Sequence, residues 1–323
     1  MANKTIVELG AVLRMSVPER KPTDTTISFS QYAIYQACPL RWKINYIDKI
    51  RTGGPNIITT FGTAFHETLQ LYLHTLYTKT AKEADQINLP ELLQSRMIET
   101  YEIEMHTHNN GEHYTTPQEM QEFYNDGVEI LTYLQKHRSA YFKKEGWELL
   151  GVEMPLYIQA SESNPNVIMN GFLDIVLRDI KNDEIHIIDI KTSTRGWNKY
   201  EKANLTKISQ LVLYKEYFAK QYGYDVEKIN INYFIVKRKL MEESMFPQSR
   251  IQEFAPASGK IKRKQLRASI DAFVAECFNL DGTKRVDREY AAIAGKNNKN
   301  CTYCDFKDKH DLCPKDKRIK LND

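Results

Sequence analysis

Between Thr60 and Tyr77 the apolar side chains Phe61, Phe65, Leu69, Tyr72, Leu73 and Leu76 recur three and four positions apart, the spacing that lines one face of an α-helix. His66 falls on the flank of that stripe. An earlier helix is predicted after Ser28, whose hydroxyl is a suitable N-cap, and it carries Tyr32, Tyr35, Cys38 and Trp42. Gly53-Gly54-Pro55 breaks the chain between the two. Helical patterns follow from Leu89 to Met105 and from Pro117 to Phe142. Beyond Trp147 the period shortens. Glu148 to Ile158, Val167 to Arg178 and Ile185 to Lys191 are rich in β-branched residues and bounded by Asn, Pro and Gly, which predicts three strands. A helix over Leu205 to Gln221, a strand over Ile229 to Val236, a helix over Gln265 to Phe278 and a cysteine-containing tail complete the chain. This order indicates a mixed α/β fold with helical additions.

Composition narrows the class. With 41% hydrophobic and 27% charged residues in 323, the chain is neither disordered nor fibrous. It contains no apolar run long enough to span a bilayer, and its first sixteen residues interrupt a short apolar stretch with Lys4, Glu8 and Arg14, unlike a secretory leader. An intracellular site is expected: cytoplasm or nucleoid, or the host cytoplasm for a viral protein, with no membrane partner. The net charge of +3 is too small to indicate nucleic acid by itself. Its distribution is more informative. Met97 to Gln135 holds eight acidic groups and no Lys or Arg, whereas Lys228 to Ile270 carries ten basic groups against three acidic ones. The acidic stretch is expected to be solvated, and the basic one, with its 260–267 cluster, to contact phosphates.

The densest chemistry lies between Gly171 and Thr192. Two predicted strands join around Lys181 to Glu184, a hairpin signature. If Ile180 faces Ile185, opposite residues sum to 365; Asp174 then lies opposite Lys191, with Asp189 two positions back on the same face. Two carboxylates about 4 Å apart repel by roughly 4 kcal/mol at an effective dielectric near 20, so a positive charge belongs between them. Lys191 supplies one, and two hard oxygen ligands also suit Mg²⁺ or Mn²⁺. Such an ion polarises a phosphoryl oxygen and acidifies a bound water, while the ammonium positions that water or stabilises developing negative charge. An ordinary cross-strand ion pair has the same pattern. Downstream, Gln210 and Tyr214 fall at i and i+4 on one helix face, where an amide and a phenol can reach phosphate, metal-bound water or Lys191. His66 follows Gly62-Thr63-Ala64-Phe65, and Glu153 precedes Met154-Pro155 as a lesser acidic candidate.

The cysteines form a second constellation. Cys301 and Cys304 make a C-x₂-C pair, and Cys313 follows after eight residues in a segment with little apolar material to fold it. Five cysteines this unevenly spaced do not make a disulfide framework. A fourth ligand comes from His310, which gives a zinc Cys₃His site, or from distant Cys38, and four thiolates suit Zn²⁺ or [4Fe–4S]. Cys277 lies inside a helical pattern and reads as a buried apolar residue.

Taken in order, Ser28-Phe29-Ser30-Gln31, Cys38-Pro39-Leu40-Arg41-Trp42, Gly62-Thr63-Ala64-Phe65-His66-Glu67, Gly171-Phe172-Leu173-Asp174, Ile188-Asp189-Ile190-Lys191-Thr192, Gln210 to Tyr214 and the terminal cysteines resemble the RecB-type branch of the PD-(D/E)XK nuclease superfamily. The likeness is to its iron–sulfur group, which includes AddB nuclease domains, CRISPR-associated adaptation nucleases and exonuclease V. The resemblance implies a restriction-endonuclease-like core with a mixed central sheet flanked by helices, a helical insertion and termini stapled by a cluster. It implies that His66, Asp174, Asp189 and the Ile190 carbonyl bind Mg²⁺ or Mn²⁺, that Lys191 is the catalytic lysine, and that Gln210 and Tyr214 belong to the family's helix motif. Cys38, Cys301, Cys304 and Cys313 would hold [4Fe–4S], with Zn²⁺ as the alternative; the eight-residue gap before Cys313 is longer than is familiar in the group, and Leu173 stands where the superfamily name has Pro. The expected organisation is an arm (1–25), an N-terminal helix of the iron–sulfur module (26–60), a helical region with the His motif (61–146), the nuclease core (147–245), a basic helical region (246–300) and a C-terminal iron–sulfur segment (301–323). The expected activity is metal-dependent exonuclease action on single-stranded DNA or DNA ends in recombination, repair or replication. The alternatives are a CRISPR-type adaptation nuclease and a catalytically silent DNA-end-binding subunit. The sequence holds no G-x-x-x-x-G-K-[ST], so no helicase motor is fused to it and the protein is expected to act alone or with a helicase or recombination partner as a separate chain.

Overall fold

A computed structural model describes residues 19–320, so most of the expected arm lies outside the described residues. In chain order the elements are β1 (Thr25–Ile27), α1 (Phe29–Ala37), α2 (Pro39–Tyr46), α3 (Ile57–Thr78), α4 (Ala81–Asp85), α5 (Leu89–His108), α6 (Pro117–Lys136), α7 (Arg138–Tyr141), β2 (Trp147–Ser161), β3 (Asn164–Asp179) and β4 (Glu184–Ser193). They continue with α8 (Lys199–Lys202), α9 (Leu205–Tyr222), β5 (Ile229–Lys237), β6 (Ile251–Phe254), α10 (Lys260–Cys277), β7 (Ala292–Ile293), α11 (Lys299–Thr302) and β8 (Arg318–Ile319). Among the described residues no helix is long and apolar enough to cross a membrane.

The chain forms two compact units. The first contains residues 54–155 and 172–258. Its sheet runs β3-β4-β5-β6, with β4 parallel to β5 and antiparallel to β3. The helical stripe of α3 is buried as predicted: Phe61, Phe65, Leu69, Tyr72, Leu73 and Leu76 pack with Ile130 and Leu131 of α6 and with Ile188, Ile190 and Phe234 of the sheet. Asn56 caps α3 by accepting from the N–H groups of Ile58 and Thr59. Burying each such side chain contributes about 1.5–3 kcal/mol, which fixes α3 against β4 and brings the His66 flank to that strand.

The second unit contains residues 19–53, 156–171 and 259–320. Trp42 lies in an aromatic nest of Tyr35, Phe273, Phe278 and Tyr290. Ser28 caps α1 as expected, accepting from Gln31 N–H, but the helix does not run through Cys38. That residue is extended (φ −160°, ψ 106°) between α1 and α2, because a proline disfavours helical backbone in the residue before it.

Three further expectations are corrected. The β3–β4 hairpin pairs Asp179 with Glu184 and Ile175 with Ile188, so opposite residues sum to 363. The loop is Ile180–Asp183, closed by Asp179 accepting from the Lys181 and Asn182 N–H groups with Asp183 in the left-handed region. A change of two in the sum keeps every side chain on its predicted face. The basic stretch is not free for phosphates throughout. Arg238 and Lys239 pair with Asp126 and Glu122, Arg250 with Glu129, and Lys228 with Asp183. Acidic α6 is therefore a charge partner of the sheet edge and not simply a solvated face. The long predicted helix to Phe142 ends at His137 and resumes as α7.

Gly127 of α6 sits where an added Cβ would lie 2.5 Å from Leu93 Cδ2 and 2.9 Å from Phe61 Cε2. Gly127→Ala gains about 1 kcal/mol of helix propensity but overpacks the core at a cost of about 1–3 kcal/mol. The variant is expected to be less stable than the parent by up to about 2 kcal/mol in urea denaturation; greater stability would contradict this packing.

Candidate active site

All the polar groups of the site belong to the first unit. Asp174 lies near the start of that unit's β3 segment and Asp189 and Lys191 on β4, all facing one side of the sheet because each strand alternates and the hairpin register is even. Ile190 N–H donates to Asp174 Oδ2 at 2.7 Å. Lys191 Nζ lies 2.8 Å from Asp189 Oδ2, an oxygen shielded from solvent, so the ammonium is the counter-charge of that carboxylate.

From α3, His66 Nδ1 approaches Asp174 Oδ2 at 3.5 Å. One turn further on, the buried Gln70 amide donates to Glu153 Oε1 at 2.6 Å and to the Asp174 carbonyl at 3.4 Å. Glu153 has a positive φ of 49°, a costly conformation for a non-glycine residue. From α9, Gln210 hydrogen-bonds the Tyr214 phenol. Asn204 caps that helix, and Gly223 ends it in the left-handed region.

The electrostatics follow from burial. The Asp174 carboxyl is held well above the usual range by desolvation, then by the charges of Asp189 and Glu153, against the opposing pull of Lys191 and Ile190 N–H. Asp189 is also raised by burial, which Lys191 only partly offsets. Burial pushes the Lys191 ammonium down, but Asp189 and Asp174 outweigh it and hold the group protonated. His66 falls to about 3 through burial and the Lys191 charge, opposed by its hydrogen bond to the Ile190 backbone, so its imidazole is neutral and free to act as a ligand. Burial takes Tyr214 up to about 12. Buried Asp189, half-buried Asp174, a neutral imidazole and one ammonium are a donor set that fits a hard divalent cation keeping part of its water shell.

Among the described residues no group of three or more His, Cys, Asp or Glu side chains is arranged to hold a metal ion. Every predicted site residue of the first unit nonetheless gathers here. Gln70 is the residue that sequence reasoning missed; its signal was a polar side chain four positions after His66 within a buried apolar stripe. In the second unit, Cys38, Cys301, Cys304 and Cys313 line one pocket with Leu40, Ile44 and Phe306, and all are free thiols. Ile293 N–H points at Cys38 Sγ from 3.4 Å, and burial raises the Cys301 thiol, with contributions from the other three. His310 is exposed and is not among the residues lining that pocket. Cys277 is buried in α10, as its pattern indicated.

A comparison with curated proteins finds no match to this chain. The PD-(D/E)XK nuclease superfamily, whose members hydrolyse phosphodiesters and typically use divalent metals such as Mg²⁺, matches residues 26–313. The chain, with its mixed sheet, flanking helices and acidic pair beside a lysine, belongs to the PD-(D/E)XK nuclease superfamily.

Proposed function

We propose that the protein is a metal-dependent DNA exonuclease acting on single strands or free DNA ends in recombination, repair or replication. The observation that carries the reading is the placement of Asp174, Asp189 and Lys191 on one sheet face with His66 against Asp174. Asp174, Asp189, His66 and the Ile190 carbonyl would hold the cation, which supplies Lewis-acid polarisation of the phosphoryl group and an acidified water. Lys191, kept protonated by its two acidic neighbours, is placed to stabilise negative charge on the phosphoryl oxygens and is not a general base. Ile190 N–H fixes the rotamer of Asp174. Gln70 holds Glu153 and the Asp174 backbone together, and Gln210 orients the Tyr214 phenol toward the lysine and the acids. The presence of both carboxylates, the lysine and the histidine in one place argues against a catalytically silent binding subunit.

We further propose that Cys38, Cys301, Cys304 and Cys313 hold a [4Fe–4S] cluster. The four thiols line one pocket, and four cysteine thiolates are the ligand set of such a cluster. The cluster's place in the second unit is structural: it ties the residue between α1 and α2 to the C-terminal segment.

End-labelled single-stranded, duplex and circular DNA should separate the modes of action: with Mg²⁺ or Mn²⁺ the parent is expected to shorten linear strands from an end and spare circles. Nicked circles would contradict exonuclease action. Lys191→Ala should lower kcat by about 10²–10³ with DNA binding retained, and equal activity would remove the lysine from the chemistry.

Acid–base linkage gives a second check. Both carboxyls have folded-state pKa values above their unfolded ones, so the stability they contribute is present at low pH and lost as pH rises through the raised values. Asp174→Asn in metal-free protein is therefore expected to melt above the parent at pH 8, by about 2–4 °C per kcal/mol relieved. The gap should close toward pH 4, where the parent carboxyl is itself neutral; a gap that widens on acidification would refute the buried repulsion. For the cysteines, anaerobically purified protein should absorb at about 400 nm, and Cys38→Ser should lose that band. A colourless parent containing zinc would overturn the cluster.

A further inference from the structure

Two chain segments leave the adjoining ends of β4 and β5, two residues beyond Lys191 on β4. β4 ends at Ser193 opposite Lys237, the last residue of β5, and passes through Thr194–Trp197 into α8. Beyond Lys237 the β5–β6 hairpin begins, and Arg238 and Lys239 donate their N–H groups to the Ser193 and Thr194 carbonyls at 2.8 and 2.7 Å. The two segments are stapled together. Trp197 N–H donates to Gln252 Oε1 at 2.7 Å, and Gln252 Nε2 returns a bond to the Trp197 carbonyl at 3.1 Å. Gly196 has φ +89°, and a Cβ there would come within 3.0 Å of Lys237 Cδ, so the first segment lies directly on the hairpin stem. Asp126 anchors the stem through Arg238 and Lys239, and Met241 and Gln248 close the hairpin with two reciprocal bonds.

A loop braced this heavily would be expected to tuck its apolar side chains away. Instead Phe246 is 77% exposed, Met245 91%, and Tyr200 on α8 73%. The first segment adds charge: Arg195 and Lys199 are exposed, and neither forms an ion pair among the described residues. The Lys199 ammonium stands 5.1 Å from the Tyr200 ring centroid. This contrasts with Arg238, Lys239 and Arg250, which are all neutralised by α6. An exposed ring beside exposed cations that have no acidic partner, as Tyr200 has in Arg195 and Lys199, is a feature by which proteins hold single-stranded nucleic acid, bases on rings and phosphates on cations; Phe246 adds a second exposed ring, on a hairpin that also carries exposed Glu242 and Glu243.

We propose that Tyr200 and Phe246 stack bases of single-stranded DNA while Arg195 and Lys199 take its phosphates, guiding one strand past Lys191. Paired bases in a duplex do not present free faces to such rings, so the platform favours single strands. The inference rests on the DNA-nuclease reading and names the part of the substrate that the site engages.

The test uses the full chain carrying Lys191→Ala, without divalent metal, and reads fluorescence anisotropy of labelled oligothymidylate and of a hairpin-capped duplex. Tyr200→Ala and Phe246→Ala are each expected to weaken oligothymidylate binding by about 5- to 100-fold, with Tyr200→Phe retaining parental affinity and duplex binding little changed. Arg195→Gln with Lys199→Gln should lower the salt slope by about 1.4, at about 0.7 per phosphate on a single strand. Melting curves that match the parent verify the fold, and the two rings sit on separate segments, so one misfolded variant leaves the other decisive. Alanine variants that bind like the parent, or that lose single strand and duplex equally, overturn the platform. Digestion by the parent, run alongside, separates the two claims: cleavage with unaltered alanine variants sinks only the platform, whereas loss of binding in those variants without parental cleavage sinks only the nuclease reading.

Discussion

Two carboxylates on the same sheet face, Asp189 buried and Asp174 half-buried, repel one another, and the first unit holds them there. Asp174 and Asp189 both sit above their ordinary pKa values because desolvation penalises their charge. The β3–β4 hairpin supplies what offsets this, the Ile190 N–H on Asp174 and the Lys191 ammonium 2.8 Å from Asp189, while α3 and α9 bring the His66 ring and the Gln210–Tyr214 pair alongside. A fold carrying such a pair without a cation gives up stability, and a fold that binds a cation there recovers it.

The same electrostatic bookkeeping separates the surface cations. Arg238, Lys239 and Arg250 form a structural ion-pair network with α6, which braces the β5–β6 hairpin beside the site. Arg195 and Lys199 stand outside that network. Part of the basic block and of acidic α6 thus serves architecture, while Arg195 and Lys199 stay exposed. In the second unit, the cysteine pocket rests on a small apolar cluster of Ile44, Ala292 and Phe306 with Leu40, Ile50 and Leu312 packed against it.

Much of this was legible in sequence because it rests on periodicity. The α3 stripe, the β3–β4 hairpin and the even parity of Asp174, Asp189 and Lys191 follow from spacing alone, and the two-residue error in register left parity intact. What spacing cannot carry was lost. Three-residue β1 and four-residue β6 are too short for a period to show, and their pairing is decided by tertiary contact. Cys38 was misplaced within a helix because the hydrophobic pattern ran on through Pro39, whose steric effect on its neighbour prevailed. The pairing of Arg238, Lys239 and Arg250 with α6 escaped notice because charge compensation between residues more than a hundred positions apart leaves no local trace. Gln70 hid inside an apolar stripe for the same reason: its partner Glu153 is remote in sequence.

The most direct measurement of the central claim is anomalous scattering from a crystal of the full chain soaked in Mn²⁺. The account predicts a peak between the Asp174 and Asp189 carboxylates, on the side facing His66, with Lys191 beside it. A peak elsewhere, or none while Lys191 remains on Asp189, would contradict a cation-centred active site.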